Sequence, residues 1–273
     1  MEFKTIQTAH VPVCYFESGK GEPLVYLHGA GGVELDEAFL NTLAQNFHVY
    51  APLLPGYGDS DECAELRDML DFTLHTWDVI DALGIQDPIL VGFSMGGMIA
   101  AEMAAVAPHD VSRLVLISPA GLWLDDHPIA DVFSMLPFEL PKYLFHDEEA
   151  GANAIGANVE LTDPAFLQIF LVRNARQLGA AGKILFPIPE RGLAGRLYRI
   201  RARTLLIWGE SDKLIPPIYA DAFRKAIPDA ELVLVPEAGH MVAFEQTSAV
   251  ADAILRVGPR GEATMAAEVT ARV

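Results

Sequence analysis

Leu90-Val91-Gly92-Phe93-Ser94-Met95-Gly96-Gly97 is the stretch from which the fold can be read. Before it, Pro88-Ile89-Leu90-Val91 is a short apolar, partly β-branched run of the kind a buried parallel strand needs. After it, Met98 to Ala107 is rich in Ala, Met and Glu, which favour helix. A strand that becomes a helix within about five residues must turn sharply. Gly92 and Gly96 remove the Cβ atoms that would clash where the chain doubles back, and Ser94 is left at the apex. This G-x-S-x-G pattern is that of a nucleophile elbow, in which a serine hydroxyl is exposed at the carboxyl end of a strand. The pentapeptide also occurs in ordinary glycine-rich turns, so its meaning depends on what other loops bring to the same edge.

Toward the N-terminus, Phe3 to Ala9 and Val11 to Glu17 read as two strands, and Pro23 to Leu27 as a continuous apolar one. The last runs directly into His28-Gly29-Ala30-Gly31-Gly32. A glycine-rich segment at the end of a buried strand lets backbone N–H groups point inward and hold an anion. The phosphate-loop pattern G-x-x-x-x-G-K-[ST] is absent, which favours an oxyanion hole over a phosphate cradle. Its donors would be the amides of Ala30 and Met95, with His28, Gly29 and Gly31 supporting the loop and His28 bonding it in place. Leu35 to Phe47 is spaced as a helix, His48 to Leu53 as a strand, and Leu66 to Leu83 as a long helix leading back to the Ser94 strand.

Beyond the elbow, Val111 to Ile117 is the next apolar strand, and the alternation of strand and helix then breaks. From about Gly121 to Leu197 no buried strand is expected. Pro128 to Leu136 and Pro164 to Leu178 are amphipathic, separated by a loose Asp147-to-Thr162 stretch. Such an insertion at the carboxyl end of a strand lies over the serine and reads as a helical lid. Alternation resumes with Arg203 to Trp208, a helix from Pro216 or Pro217 to Ala226, the strand Glu231 to Val235, and a final helix from Val242 to Val257. The expected fold class is α/β, an eight-stranded mostly parallel sheet with helices on both faces and a helical cap inserted after strand 6. Residues 1–120 and 198–257 would form the core domain, 121–197 the cap, and 258–273 a C-terminal tail without a clear buried face.

Two further loops leave the carboxyl ends of buried strands, Gly209-Glu210-Ser211-Asp212 and Gly239-His240. Loops at that edge of an open parallel sheet converge, so Ser94, Asp212 and His240 can meet. A serine hydroxyl is a poor nucleophile until an imidazole accepts its proton, and the imidazole needs a carboxylate to fix its tautomer. Glu210 competes with Asp212 as that acid, and Asp212 could instead cap a turn.

Together, the His28 loop, Gly56-Tyr57-Gly58-Asp59-Ser60, the elbow, Gly209 to Asp212 and Gly239-His240 resemble the α/β-hydrolase fold superfamily, in its lid-bearing serine branch. The resemblance runs from about residue 3 to 257 and implies eight strands, the first two antiparallel to the rest. It also implies a serine hydrolase resembling small esterases and meta-cleavage-product hydrolases. Those C–C hydrolases usually carry a Trp after the catalytic His and an Arg in the cap that grips a carboxylate. Here Met241 follows His240, and the candidates in the cap for such a cation are Arg173, Arg176, Lys183 and Arg191. Carboxylic ester hydrolysis through an acyl-enzyme is therefore the favoured activity, with C–C cleavage of vinylogous diketones and non-catalytic ligand binding as alternatives. The pocket would draw on Trp123, Phe133, Leu136, Phe138, Phe166, Phe170, Arg173 and Met241.

Half of the 273 residues are apolar, enough for a sizeable core, and the net charge is −18. That charge repels phosphate backbones and anionic lipid, so a small-molecule ester or related carbonyl compound is the expected partner, not nucleic acid or a membrane. A homodimer is left open. Cys14 and Cys63 lack metal-ligand spacing, and neither a metal nor an organic cofactor is expected at the site. No signal-peptide pattern opens the chain, so a cytoplasmic location is expected.

Overall fold

The computed structural model describes residues 1–136, 138–156, 164–188 and 191–257, with Gly156, residues 164–167 and Phe170 as backbone only. Among them, eight strands form one sheet in the order β1-β2-β4-β3-β5-β6-β7-β8. These are β1 Phe3–Gln7, β2 Pro12–Gly19, β3 Pro23–Leu27, β4 His48–Pro52, β5 Ile89–Phe93, β6 Arg113–Ile117, β7 Arg203–Gly209 and β8 Ala230–Val235. Strands β3 to β8 pair in parallel, while β2 is antiparallel to both β1 and β4. This corrects the expectation that the first two strands both oppose the rest. A tight turn reverses the chain between β1 and β2, so β1 runs in the direction of the parallel set and β2 alone opposes it. The central strands β5, β6 and β7 are buried at every position, as strands covered on both faces must be.

The helices α1 Glu37–Leu43, α2 Met69–Ala82, α3 Met95–Val106, α7 Ile218–Ala226, α8 Val242–Glu245 and α9 Thr247–Leu255 pack with this sheet, and α4 Leu140–Leu144, α5 Glu148–Gly156 and α6 Pro164–Leu185 lie between β6 and β7. The expected helix over 128–136 is only a 3₁₀ turn, Val132–Ser134, whose first turn is closed by Asp131 accepting from the Phe133 amide. Proline at 128 and 137 leaves too short a run for a stable helix. The stretch read as loose holds α5, opened by Asp147 accepting from the Ala150 amide. The single C-terminal helix is two, broken at Gln246, whose backbone leaves the helical region at φ −129° and ψ 49°. The tail, 258–273, lies outside the described residues.

Side-chain bonds tie the 121–197 segment to the core. The Tyr219 hydroxyl accepts from the Leu124 amide and donates to the His127 carbonyl. Arg196 pairs with Glu102 of α3. Arg176 donates to Glu62 and to the Gly58 and Ser60 carbonyls, and Lys183 to the Cys63 carbonyl. No helix of the described residues is long and apolar enough to cross a membrane.

Candidate active site

The elbow forms as the glycines dictate. A Cβ at Gly92 would run into the Gly96 carbonyl, and one at Gly96 into the Leu27 carbonyl of the neighbouring strand. Ser94 therefore sits where β5 gives way to α3, at φ 52° and ψ −114°, a conformation that non-glycine residues rarely adopt. Its backbone is held on both sides: its N–H donates to Ile117 at 2.9 Å, and its carbonyl accepts from Ala120 at 3.0 Å and Met98 at 3.1 Å. The strain is imposed by surrounding structure and points the hydroxyl outward from the strand end.

Three loops then meet. His240 Nε2 lies 3.0 Å from Ser94 Oγ, and its Nδ1 lies 2.8 Å from Asp212 Oδ2. The second carboxylate oxygen of Asp212 accepts from the amides of Leu214 at 3.0 Å and Ile215 at 2.8 Å. These bonds fix the carboxylate's orientation toward His240. Asp212 and His240 are 4 % and 2 % exposed, so this hydrogen-bonded line is shielded from bulk water. Glu210, the competing acid, is exposed. Gly209 and Gly239 permit the two loops to touch, since a Cβ at Gly209 would strike the Gly239 carbonyl.

One residue that the sequence did not single out fixes the His240 loop. Glu245 of α8 accepts from the Gly239 amide at 2.7 Å through one oxygen, and from the amides of His146 at 2.7 Å and Asp147 at 3.2 Å through the other. The Met241 amide adds a bond to the Leu144 carbonyl at 2.9 Å. The loop is thereby stitched to the segment between β6 and β7, a link between distant residues that no local pattern announces.

The His28 loop is ordered as expected. Leu54 donates its amide to His28 Nε2 at 3.1 Å, which leaves Nδ1 to donate to the Gly29 carbonyl at 2.7 Å. Burial pushes the His28 pKa down, consistent with this neutral ring. Tyr57 donates to the Ala30 carbonyl at 3.1 Å. A Cβ at Gly29 would press on the Phe93 ring at 3.0 Å, whereas one at Gly31 would meet nothing, so Gly31 has no steric need to be glycine. Ala30 and Ser94 line the same cavity. Met95 is the first residue of α3, where N–H groups lack intrahelical acceptors.

That cavity is narrow, about 70 Å³, and mostly apolar. Its walls come from Met98 and Ala120, from Ile129, Val132 and Phe133, and from the end of α6. Leu214 and Ile215, which follow the Asp212 loop, complete it. Of the expected pocket residues whose side chains are described, Phe133 alone lines it. Leu136 and Phe138 are 55 % and 77 % exposed and do not line it. Trp123 is half-buried, donates to Asp125 at 2.9 Å, and does not line the cavity; nor does Met241. Arg173 is exposed beside Glu34 at 3.9 Å and lines a separate groove with Gly56, Gly58 and Arg176. The side chains of Phe166 and Phe170 lie outside the described residues. Sequence amphipathicity marks which side chains are apolar but not which side of a short, turn-rich segment faces the serine. Of the four candidate cations named from sequence, Arg191 alone lines the Ser94 cavity, and its guanidinium donates to the Phe186 carbonyl.

The chain matches the alpha/beta hydrolase family over residues 24–253 and belongs to it. It is 30 % identical over 264 residues to Lipase 1 of Psychrobacter immobilis, covering 87 % of this chain and 78 % of the lipase. It is 29 % identical over 255 residues to the 2-hydroxy-6-oxo-6-phenylhexa-2,4-dienoate hydrolase of Burkholderia cepacia, covering 85 % of this chain and 86 % of that enzyme. Among solved structures, the meta-cleavage product hydrolase from Pseudomonas fluorescens IP01 superposes with a TM-score of 0.75 at 21 % identity, covering 92 % of this chain and 96 % of the other. These relatives are hydrolases, and the chain is one.

Proposed function

We propose that this hydrolase is a serine esterase that cleaves carboxylic esters of small, apolar substrates, with Ser94 as nucleophile, His240 as general base and acid, and Asp212 as the group that orients the imidazole. The observation that carries this is the unbroken line from Ser94 Oγ through His240 to Asp212, opening into an apolar cavity. His240 Nε2 takes the hydroxyl proton as Ser94 Oγ attacks the ester carbonyl. Charge develops on the carbonyl oxygen, where the amides of Ala30 and Met95 receive it. Collapse of the tetrahedral intermediate expels the alcohol, which His240 protonates, and leaves an acyl-serine. A water deprotonated by the same imidazole then releases the acid. The segment 121–197 serves as the lid, its Phe133, Val132 and Leu185 forming the wall against which an acyl group packs.

Incubation with a p-nitrophenyl short-chain ester followed by rapid acid quench and mass spectrometry tests this. An acyl adduct on Ser94, absent from Ser94→Ala, is expected together with turnover. Turnover unaffected by Ser94→Ala would overturn the proposal, and no turnover of any ester would favour a ligand-binding role. A second reading, C–C cleavage of a vinylogous diketone, is favoured by one observation: a cation, Arg191, stands on the cavity wall where a substrate carboxylate could meet it.

A further inference from the structure

Away from the Ser94 cavity, the turn between β1 and β2 meets one face of α2. The Thr8 hydroxyl shapes the turn, donating to the Val11 carbonyl at 2.7 Å and accepting from the His10 and Val11 amides at 3.3 and 3.2 Å. On α2, His75 and Asp78 are three residues apart and so share a face. His10 Nε2 lies 3.8 Å from Asp78 Oδ2, and the rings of His10 and His75 are 5.8 Å apart. One donor atom each of His10, His75 and Asp78 falls within 4.8 Å of the others.

His75 is the anomaly in this cluster. It is 1 % exposed, yet neither ring nitrogen has a hydrogen-bond partner. Buried polar groups are nearly always paired, so an orphaned imidazole aimed at another imidazole and a carboxylate requires an explanation.

We propose that His10, His75 and Asp78 form a divalent transition-metal site, of a donor set that suits Zn²⁺, that clamps the β1–β2 turn to α2. Two imidazoles and one carboxylate are a zinc donor set, with water as the fourth ligand. Zinc–ligand bonds near 2.0–2.1 Å place tetrahedral donors about 3.4 Å apart. The 3.8 Å between His10 Nε2 and Asp78 therefore needs only a small closure. The other nitrogen of His10 is served as well. Its Nδ1 lies 3.7 Å from Glu65 Oε2, so an outer carboxylate stands on the side of the ring away from the ligating Nε2. Cys63 lies on this Nδ1 side, its thiol 3.7 Å from Glu65, and is not counted among the ligands. None of these residues lines the cavity at Ser94, so the metal would be structural.

Isothermal titration of ZnCl₂ into untagged full-length protein, previously stripped of metal by chelation and dialysis, tests the proposal. One Zn²⁺ should bind per chain with a dissociation constant below about 10 μM, and the melting temperature should rise with zinc. His10→Ala, on an exposed turn, and Asp78→Asn should each weaken binding by about tenfold or more while ester hydrolysis and the circular dichroism spectrum stay unchanged. No saturable binding by about 100 μM, or tight binding that survives both substitutions, would overturn it.

Discussion

Ser94 combines a strained backbone with a bonded side chain, and both follow from its position. A positive φ costs a non-glycine residue about 1–3 kcal/mol, and here three backbone hydrogen bonds leave the chain no other course. Because Ser94, His240 and Asp212 act as one unit, Ser94→Ala and His240→Ala should each lower kcat for a p-nitrophenyl ester by about 10⁴-fold or more, with Asp212→Asn costing somewhat less. Steady-state kinetics with contaminating esterase excluded is the measurement; a loss under tenfold at Ser94 would remove it from the reaction. A second buried acid makes a different prediction. Asp36 holds the N-cap position before α1 but makes no side-chain capping bond; instead its Oδ2 accepts from the Tyr26 hydroxyl at 2.8 Å. Burial raises its pKa to about 7, the charge of Glu34 adds to this, and the Tyr26 bond opposes it. Because the folded pKa is above the unfolded one, the stabilising contribution is complete below about pH 4 and is lost as pH rises through about 7, a change on the order of 4 kcal/mol. Asp36→Asn keeps an acceptor for Tyr26 and cannot ionise. Its stability relative to wild type, from urea melts, should therefore climb between about pH 4 and about pH 8 and stay flat outside that window. A pH-independent difference would mean that Asp36 ionises as freely in the fold as in water.

At the scale of elements, the elbow is the tightest junction. Gly96→Ala drives a methyl group into backbone, the Leu27 carbonyl, which cannot swing aside as a side chain could. A loss of about 3 kcal/mol or more, or insoluble protein, is expected from denaturant melts, whereas Gly31→Ala, where the new methyl meets nothing, should be nearly silent in stability. The strands β3 to β8 were legible because each is a largely apolar run that ends at or within two residues of a glycine or proline, and the helices of the core because they recur between strands. The loops bearing Ser94, Asp212 and His240 were legible for the same reason: strand ends are marked in sequence, and the sheet gathers them. The 121–197 segment lacked that regularity. There a 3₁₀ turn replaced an expected helix at 128–136, a helix appeared at 148–156, and Leu136 and Phe138 turned outward. Only tertiary packing decides such details, and it also set the position of Glu245 and the meeting of His10 with His75. Phe133, which does reach the cavity, carries the prediction for this element. Phe133→Ala should lengthen the preferred acyl chain in kcat/KM across a p-nitrophenyl ester series while the melting temperature falls only slightly. An unchanged preference would place Phe133 in the lid's own packing alone.

At the scale of the whole molecule, reaction type is a matter of charge as much as of the serine. Ester cleavage needs the Ser94 line, two amide donors and a leaving alcohol, and a neutral ester feels little of the molecule's field. A dienoate-type diketone carries a carboxylate and must approach a protein of net charge −18. Within the cavity, Arg191 is the one charged side chain among the described lining residues, and its guanidinium already donates to the Phe186 carbonyl. C–C cleavage also demands that the substrate be ketonised before the bond breaks, so that the leaving carbon is not a high-energy carbanion. The position after His240, where the C–C hydrolases usually have Trp, holds Met241, whose side chain does not line the cavity. The expected outcome is a kcat/KM for short-chain aryl esters at least about tenfold above that for any meta-cleavage diketone, a gap of about 1.4 kcal/mol in transition-state stabilisation. Added salt should raise kcat/KM for the anionic diketone by screening the protein's charge and leave that for the neutral ester unchanged. Arg191→Ala should leave ester turnover within about twofold of wild type, since no anion has to be held. If the diketone were instead the better substrate, and Arg191→Ala abolished that activity alone, C–C hydrolysis would be the reaction of this cavity and the esterase reading would fall.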